Sequence, residues 1–357
     1  MIDYHLLLSV FIGVAVLVFL ILKFKMQPFL GLLISSILVG ILAGVAPLEI
    51  MNTVKEGMGS TLGFVAVVVG LGAMFGAILE HSGGAEALAQ YLLKSFGEKN
   101  ASWALMITGF FIAIPVFFDV AFIILIPLVY SLQRKTKKSM LLYAIPLLAG
   151  LAITHAFIPP TPGPVAVADI LNADLGWVIL VGFIVGVPTA IISGPIFGKF
   201  IASKIFIAAP KIIDEKAISN FPPISLILTI ISTPILLIVL NTLLNSSISS
   251  GLNWSKTTIA WIQMIGHPFS ALIIANLMAW YLLGIRRGVS KTILSKITSA
   301  SLAPAGIIIL LTGAGGVFKQ MLITTGTGEM LANYFSSIGL SLLLFAFLAA
   351  VTVRILQ

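Results

Sequence analysis

The chain has 357 residues, 59% of them hydrophobic and only 9% charged, with a mean hydropathy of +1.15. No water-soluble globular domain of this length carries that balance, so the composition predicts a polytopic helical membrane protein and excludes a soluble one. The formal charge of +8 suggests nucleic acid at first sight, but the basic residues sit in short clusters between apolar runs, as in cytoplasmic loops, so the expected partner is the lipid bilayer and not nucleic acid.

The chain has no cysteine, which removes disulfides, thiolate metal sites and cysteine nucleophiles. No metal centre and no cofactor are expected.

Apolar runs long enough for a bilayer core are Leu6–Leu22, Pro28–Ala46, Thr61–Leu79, Ser102–Tyr130, Met140–Phe157, Trp177–Phe200, Ile224–Leu243, Pro268–Leu283, Pro304–Phe318 and Phe335–Val353. The first is no cleavable signal: Asp3 and His5 precede it and Lys23 and Lys25 follow it, the reverse of a basic n-region. Cationic clusters lie at Lys23/Lys25, Lys94/Lys99, Arg134–Lys138, Lys199–Lys216 and Arg286–Lys296. If all are cytoplasmic, consecutive clusters are separated by an even number of crossings. The single segment Ser102–Tyr130 breaks that parity, so it is expected to enter and leave on the cytoplasmic side as a re-entrant hairpin turning near Pro115. The N-terminus then lies outside.

Sliding the chain by 243 residues aligns Gly70–Tyr91 with Gly313–Tyr334 without a gap and gives nine identities in 22 positions, among them Gly70/Gly313, Gly72/Gly315, Gly83/Gly326 and Glu86/Glu329. A shift of 240 pairs residues 28–44 with 268–284. The loop parity runs these two copies in opposite directions, an inverted repeat of the kind that builds transporters around a central site. The expected organisation is a first repeat over 1–200, a cytoplasmic linker over 201–223, and a second, inverted repeat over 224–357. By the offset Gln357 corresponds to Ile114, so the second repeat reads as incomplete.

Asp119 lies inside an apolar run, where a carboxylate is costly unless it faces a cavity or partner. It is either a proton-titrating group or a structural cap for the half-helix that follows. His155, after Thr154 at the end of a run, could relay protons or hydrogen-bond an anion, or merely satisfy a backbone carbonyl. Then comes Pro159-Pro160-Thr161-Pro162-Gly163-Pro164, where the backbone is expected to leave the helix and expose groups to a ligand. Gly313, Gly315 and Gly316, like Gly70 and Gly72, allow close helix packing or backbone ligation. Lys319 could attract an anion or snorkel. Arg354 aligns by the offset with Phe111, within the hairpin, where it would suit a carboxylate substrate.

GAMFGAILEHSGG, FFDVAFIILIPLVY, THAFIPPTPGPVAVADILNADLGW, the GHPF turn and GAGGVFKQML together resemble the gluconate permease family, over essentially the whole chain. The resemblance implies an inverted-repeat fold with re-entrant hairpins, and uptake of gluconate or related sugar acids with protons across the bacterial inner membrane. It departs from the family in two places: Asp119 stands where members usually carry a glutamate, and members continue beyond the Arg-Ile-x-Gln found at Arg354–Gln357.

The expected function is therefore a secondary active transporter, not an enzyme, for a small anionic sugar acid. Asp119 and His155 would handle the coupling proton. Assembly as a homo-oligomer is compatible with the sequence. The alternatives are another small substrate (glycerate, fructuronate or D-serine), sodium coupling, or an inactive truncated permease. An intramembrane hydrolase using Asp119 is disfavoured, because no second aspartate lies at similar depth in a neighbouring segment.

Overall fold

A computed structural model describes residues 4–210, 221–245 and 255–337, together with 339, 341, 343, 344, 346, 347 and 351. The described residues form α-helices and short 3₁₀ and π segments, with no strand among them. In chain order they are α1 (Tyr4–Leu22), α2 (Pro28–Leu42), α3 (Pro47–His81), α4 (Gly84–Phe96), α5 (Ala101–Ile112), α6 (Phe118–Thr136), α7 (Leu141–Phe157) and α8 (Pro162–Ile170). There follow α9 (Leu175–Ile191), α10 (Phe197–Ala202), α11 (Ile224–Leu244), α12 (Lys256–Gly266), α13 (Pro268–Met278), α14 (Lys291–Thr324) and α15 (Thr327–Ser337). Among the described residues, seven segments are long and apolar enough to cross a bilayer. Their outer faces carry exposed large apolar side chains such as Phe11 (69%), Ile184 (71%) and Leu277 (65%), surface that water would penalise and hydrocarbon accepts. The chain is an all-α polytopic membrane protein.

Several boundaries follow from local chemistry. Proline at the first position, where a missing amide costs nothing, opens α2, α8 and α13. Gln27 and His267 cap α2 and α13 by accepting from the amides of Phe29 and Phe269. Two expected spans were too short. Thr61–Leu79 is the later part of the 35-residue α3, and Pro304–Phe318 the middle of the 34-residue α14. Residues such as Asn52, Lys55 and Glu56 lower the local hydropathy without opposing helix. The expected span Phe335–Val353 lies in part outside the described residues, and Lys211 and Lys216 lie outside them altogether.

The chain divides into two compact units, one of residues 1–63 and 309–357, the other of 64–308. In the first, α1 lies against α2, where Ser35 donates to the Gly13 carbonyl across the interface. The early part of α3 packs antiparallel to the late part of α14. Thr53 pairs with Thr324 at 3.3 Å, and four residues later Gly57 faces Gly316 and Val317. A Cβ at Gly57 would stand 2.7 Å from the Val317 Cα, a backbone approach that only glycine permits.

In the second unit, α5 and α7 cross at glycines. A Cβ on Gly109 would lie 2.6 Å from the Leu147 carbonyl oxygen, and one on Gly150 would be 2.8 Å from the Phe110 amide. Around this crossing lies a core that includes Phe75, Leu105, Leu125, Tyr143 and Ile230. The Ser102–Tyr130 segment is not one helix: α5 stops at Ile112 and α6 starts at Phe118, with Pro115 between. The far ends of this broken segment meet, since Lys135 near the end of α6 forms an ion pair with Glu98 just before α5. Arg134 donates to the Pro210 carbonyl at 2.7 Å, and the Ser139 hydroxyl to that of Ile205 at 2.9 Å. Three cationic clusters, at 94–99, 134–138 and 199–210, therefore gather on one face.

The offset of 243 reappears in the backbone. Shifted by it, α3 would run from 290 to 324 and α4 would begin at 327; α14 runs from 291 to 324 and α15 begins at 327. The elbows match as well: Gly83 and Gly326 are left-handed, with φ of 71° and 72°.

Candidate functional site

The second unit contains two helix interruptions that meet. The first, Ala113–Phe117, precedes α6; the second, Ile158–Thr161, separates α7 from α8. Residues 114–117 and 160–162 line one narrow crevice with Val69, Gly72 and Ala73 of α3. The starts of α6 and α8 thus converge on a single place. Here α3 presents a stripe of small residues. A Cβ on Gly76 would collide with the Pro115 carbonyl oxygen, and one on Gly72 would reach within 3.9 Å of that of Pro160.

The crevice adjoins a cleft of about 370 Å³, sharing Ala73 and residues 115–117 with it. Glu80 and His81 of α3, and Ala300 and Ser301 of α14, also line the cleft. Its volume falls within the range of small-molecule sites, ~300–1,000 Å³.

Asp119 occupies the first turn of α6 and is exposed. No side chain among the described residues caps that turn, so its leading amides point outward, and the helix dipole makes this end attractive to anions. His155 is half-buried in α7, close enough to Asp119 for the two to interact electrostatically. Its Nδ1 and the Oγ1 of the wholly buried Thr154 have no hydrogen-bond partner among the described residues.

Pro159 and Pro160, joined by a cis bond, are buried within the second interruption. Thr161 donates its hydroxyl to the Ile158 carbonyl at 2.6 Å. The irregular stretch is shorter than the proline content suggests: Pro162, Gly163 and Pro164 are already helical, as the first turn of α8. Proline fits there because its fixed φ suits a helix start. Neither proline has an amide proton, so the exposed Gly163, with open space beside its Cα, supplies the backbone donor of that turn.

The remaining expected site residues belong to the first unit or lie outside the described residues. Gly313 and Gly316 belong to the first unit and are filled by neighbours: a Cβ on Gly313 would meet Leu62, and one on Gly316 the Gly57 carbonyl at 2.7 Å. They serve packing. Gly315 has open space, and Lys319 is half-buried, both also in the first unit. Arg354 lies outside the described residues.

Sequence reasoning did not weigh Glu80, His81 or Ser301, which line the cleft. The signal was an acidic residue closing the apolar run of α3. It met Glu86 only as an identity of the repeat, not as a site residue; its Oε2 is buried without a partner among the described residues, and burial pushes its carboxyl pKa above the ordinary value of 4.5, opposed by a hydrogen bond from its own amide and aided, less strongly, by Glu80. Asn276 was missed too: it ties α13 to α3 by donating to the Leu71 carbonyl at 3.0 Å.

Comparison with known proteins sets this site in context. The chain is 40% identical to the low-affinity gluconate transporter of Escherichia coli K12 over 347 residues, 97% of this chain and 77% of that protein. It is 36% identical to the gluconate permease of Pseudomonas aeruginosa, over 99% of this chain and 79% of the relative. It is also 32% identical to the Gnt-II system L-idonate transporter of Escherichia coli K12, over 96% and 78%. The family model described as GntP family permease matches residues 5–357. With relatives that are transporters and permeases, not enzymes, and with seven candidate spans, the chain belongs to the GntP permease family.

Proposed function

We propose that this protein is a secondary active transporter that takes up gluconate, or a close sugar acid, with protons across the bacterial inner membrane. The observation that carries the reading is the convergence of the α6 and α8 starts on one crevice, with Asp119 in the first turn of α6 and His155 near enough to interact with it. Uncapped helix starts suit a carboxylate, and the adjoining cleft offers Glu80, His81 and Ser301 to a polyhydroxylated chain.

The position of Asp119 suggests how proton and substrate couple. An ionised Asp119 in the first turn of α6 already occupies the positive end of that helix. A substrate carboxylate at the same end meets a like charge, which favours protonation of Asp119. Protonation in turn frees the helix end for the substrate, so each raises the affinity for the other. Importing the pair is electroneutral, whereas the anion alone works against ~2.3 kcal/mol per 100 mV of inside-negative potential.

The opposed directions of α3 and α14 support an inverted repeat. Under the offset of 243 the closed pair Gly57/Gly316 maps onto Ala300/Ala73, which line the open cleft. We read these as the shut and open forms of one crossing, exchanged during transport.

The test is uptake of labelled gluconate by cells that lack their own gluconate transporters. Expression of this chain should give uptake that a protonophore abolishes. Asp119→Asn should reduce it at least tenfold, and Asp119→Glu should retain it. Protonophore-insensitive uptake would refute proton coupling, and uptake of L-idonate without gluconate would refute the substrate.

A further inference from the structure

Glu86 is a half-buried carboxyl beside the cleft. It sits in the first turn of α4, three residues after the left-handed Gly83 at the α3–α4 elbow. Its Oε2 is buried and has no hydrogen-bond partner among the described residues. The elbow brings it near enough to Glu80 for the two charges to interact, and Glu80 lines the open cleft with His81 beside it.

The other titratable groups of the surrounding elements offer Glu86 no counter-charge. The helices α5 and α11, which pack against α4, carry none. Asp119 and Tyr130 of α6 are not cations, and Tyr91 and Lys94 of α4 itself are exposed further along the helix. Arg134 and Lys135 lie near the end of α6 with Glu98 and Lys99, where Lys135 pairs with Glu98 beyond the far end of α4. That end is ~15 Å from Glu86 at a rise of ~1.5 Å per residue. The charge that acts on Glu86 is that of Glu80, which is of like sign. Burial first, and Glu80 less strongly, thus favour a neutral Glu86, against a hydrogen bond from its own amide.

The repeat indicates that this proton is exchanged. Glu329 holds the matching place in α15, three residues after the left-handed Gly326, and it is exposed. When the two repeats exchange forms, as proposed for the α3–α14 crossing, Glu86 takes up the exposed setting of Glu329, where water favours the ionised form.

Resting on the symporter reading above, we propose that Glu86 carries a second transported proton, loaded from the cleft beside Glu80. The proton leaves water in the cleft, neutralises the Glu86 carboxylate, and returns to water on the other side once Glu86 is exposed. One gluconate anion then travels with two protons, one on Asp119 and one on Glu86, so each cycle imports a net charge of +1.

The test uses the purified full chain in proteoliposomes, at equal pH inside and outside, with an inside-negative potential set by potassium and valinomycin. Wild type should accumulate labelled gluconate roughly 50-fold at 100 mV, the gradient that one net charge sustains. Glu86→Gln, left with one proton per anion, should not accumulate it from the potential, yet should still do so from an inside-alkaline pH gradient. Wild type that answers to the pH gradient but not to the potential, or a variant that keeps the response to potential, would overturn the second proton and leave the single-proton symporter standing. Accumulation under neither gradient would refute the symporter reading, and transport of this proton with it. Infrared spectra test the proton itself without transport: the difference between wild type and Glu86→Gln should contain a protonated carboxyl band that persists above the ordinary carboxylate range, and Glu80→Gln should move its titration to lower pH. Absence of that band would overturn the proposal whatever the uptake.

Discussion

Gly76 is where the backbone of α3 and the Pro115 interruption come closest. Alanine normally improves a helix by ~1 kcal/mol over glycine, yet a Cβ here collides with the Pro115 carbonyl oxygen, and backbone is poorly able to yield. Gly76→Ala should therefore destabilise the protein by about 1–3 kcal/mol, as overpacking does, and reduce uptake; unfolding and transport assays on one preparation check both. Glu86 makes a prediction about pH. Its raised pKa means that the folded protein holds a proton the unfolded chain releases. Its contribution to stability is therefore greatest below the ordinary carboxylate value, and it falls as pH rises from there through the raised value. Glu86→Gln should unfold at a higher temperature than wild type at neutral pH, with the difference vanishing below about pH 4.5, where the unfolded carboxyl is protonated too. Parallel melting curves across that range would refute the burial argument.

At the level of helices, glycine decides which pairs approach closely. The α5–α7 crossing brings backbone to backbone through Gly109 and Gly150, and the α3–α14 pair of the first unit does the same through Gly57 and Gly316. Gly57→Ala should cost about 1–3 kcal/mol, because its Cβ would meet backbone on both Gly316 and Val317. Gly59→Ala, two residues further along the same helix but with nothing within 4 Å of its Cβ, should be neutral or stabilising. Chemical denaturation of the two variants side by side checks the contrast. The interruptions follow a different rule. Pro115 ends a helix whose continuation would lack a donor, whereas Pro162 begins one, where the missing amide costs nothing.

For the whole molecule, the proposal that the α3–α14 crossing has a shut and an open form makes a direct test available, because the chain contains no cysteine. The pair Ala73→Cys/Ala300→Cys lines the open cleft, and a bifunctional thiol reagent that bridges it should lock the transporter and abolish uptake. Each single variant, treated alike, should keep transporting. Uptake that survives complete cross-linking would exclude any exchange at this crossing. The bilayer enters the energetics as well: faces carrying Phe11, Ile184 and Leu277 exposed are stable only against hydrocarbon, so detergent or lipid belongs to the folded state.

Much of the architecture was legible in the sequence because the signals for it are short-range. Hydropathy identified the membrane class, prolines marked the openings of α2 and α13 and the break at Pro115, and the sequence identity Gly83/Gly326 falls on the two left-handed glycines that precede α4 and α15. Local signals failed where residues do two jobs. The polar positions in α3 and α14 hid how long those helices are, and Pro162–Pro164 looked like a turn though they start a helix. Only the tertiary structure could decide that the starts of α6 and α8 meet, that Asp119 is exposed beside His155, that Gly313 and Gly316 serve packing in the other unit, and that Glu80 and Ser301 share a cleft. These facts depend on contacts between segments far apart in the chain, and neither propensity nor hydropathy, which act over a few residues, carries information about which distant backbone will arrive.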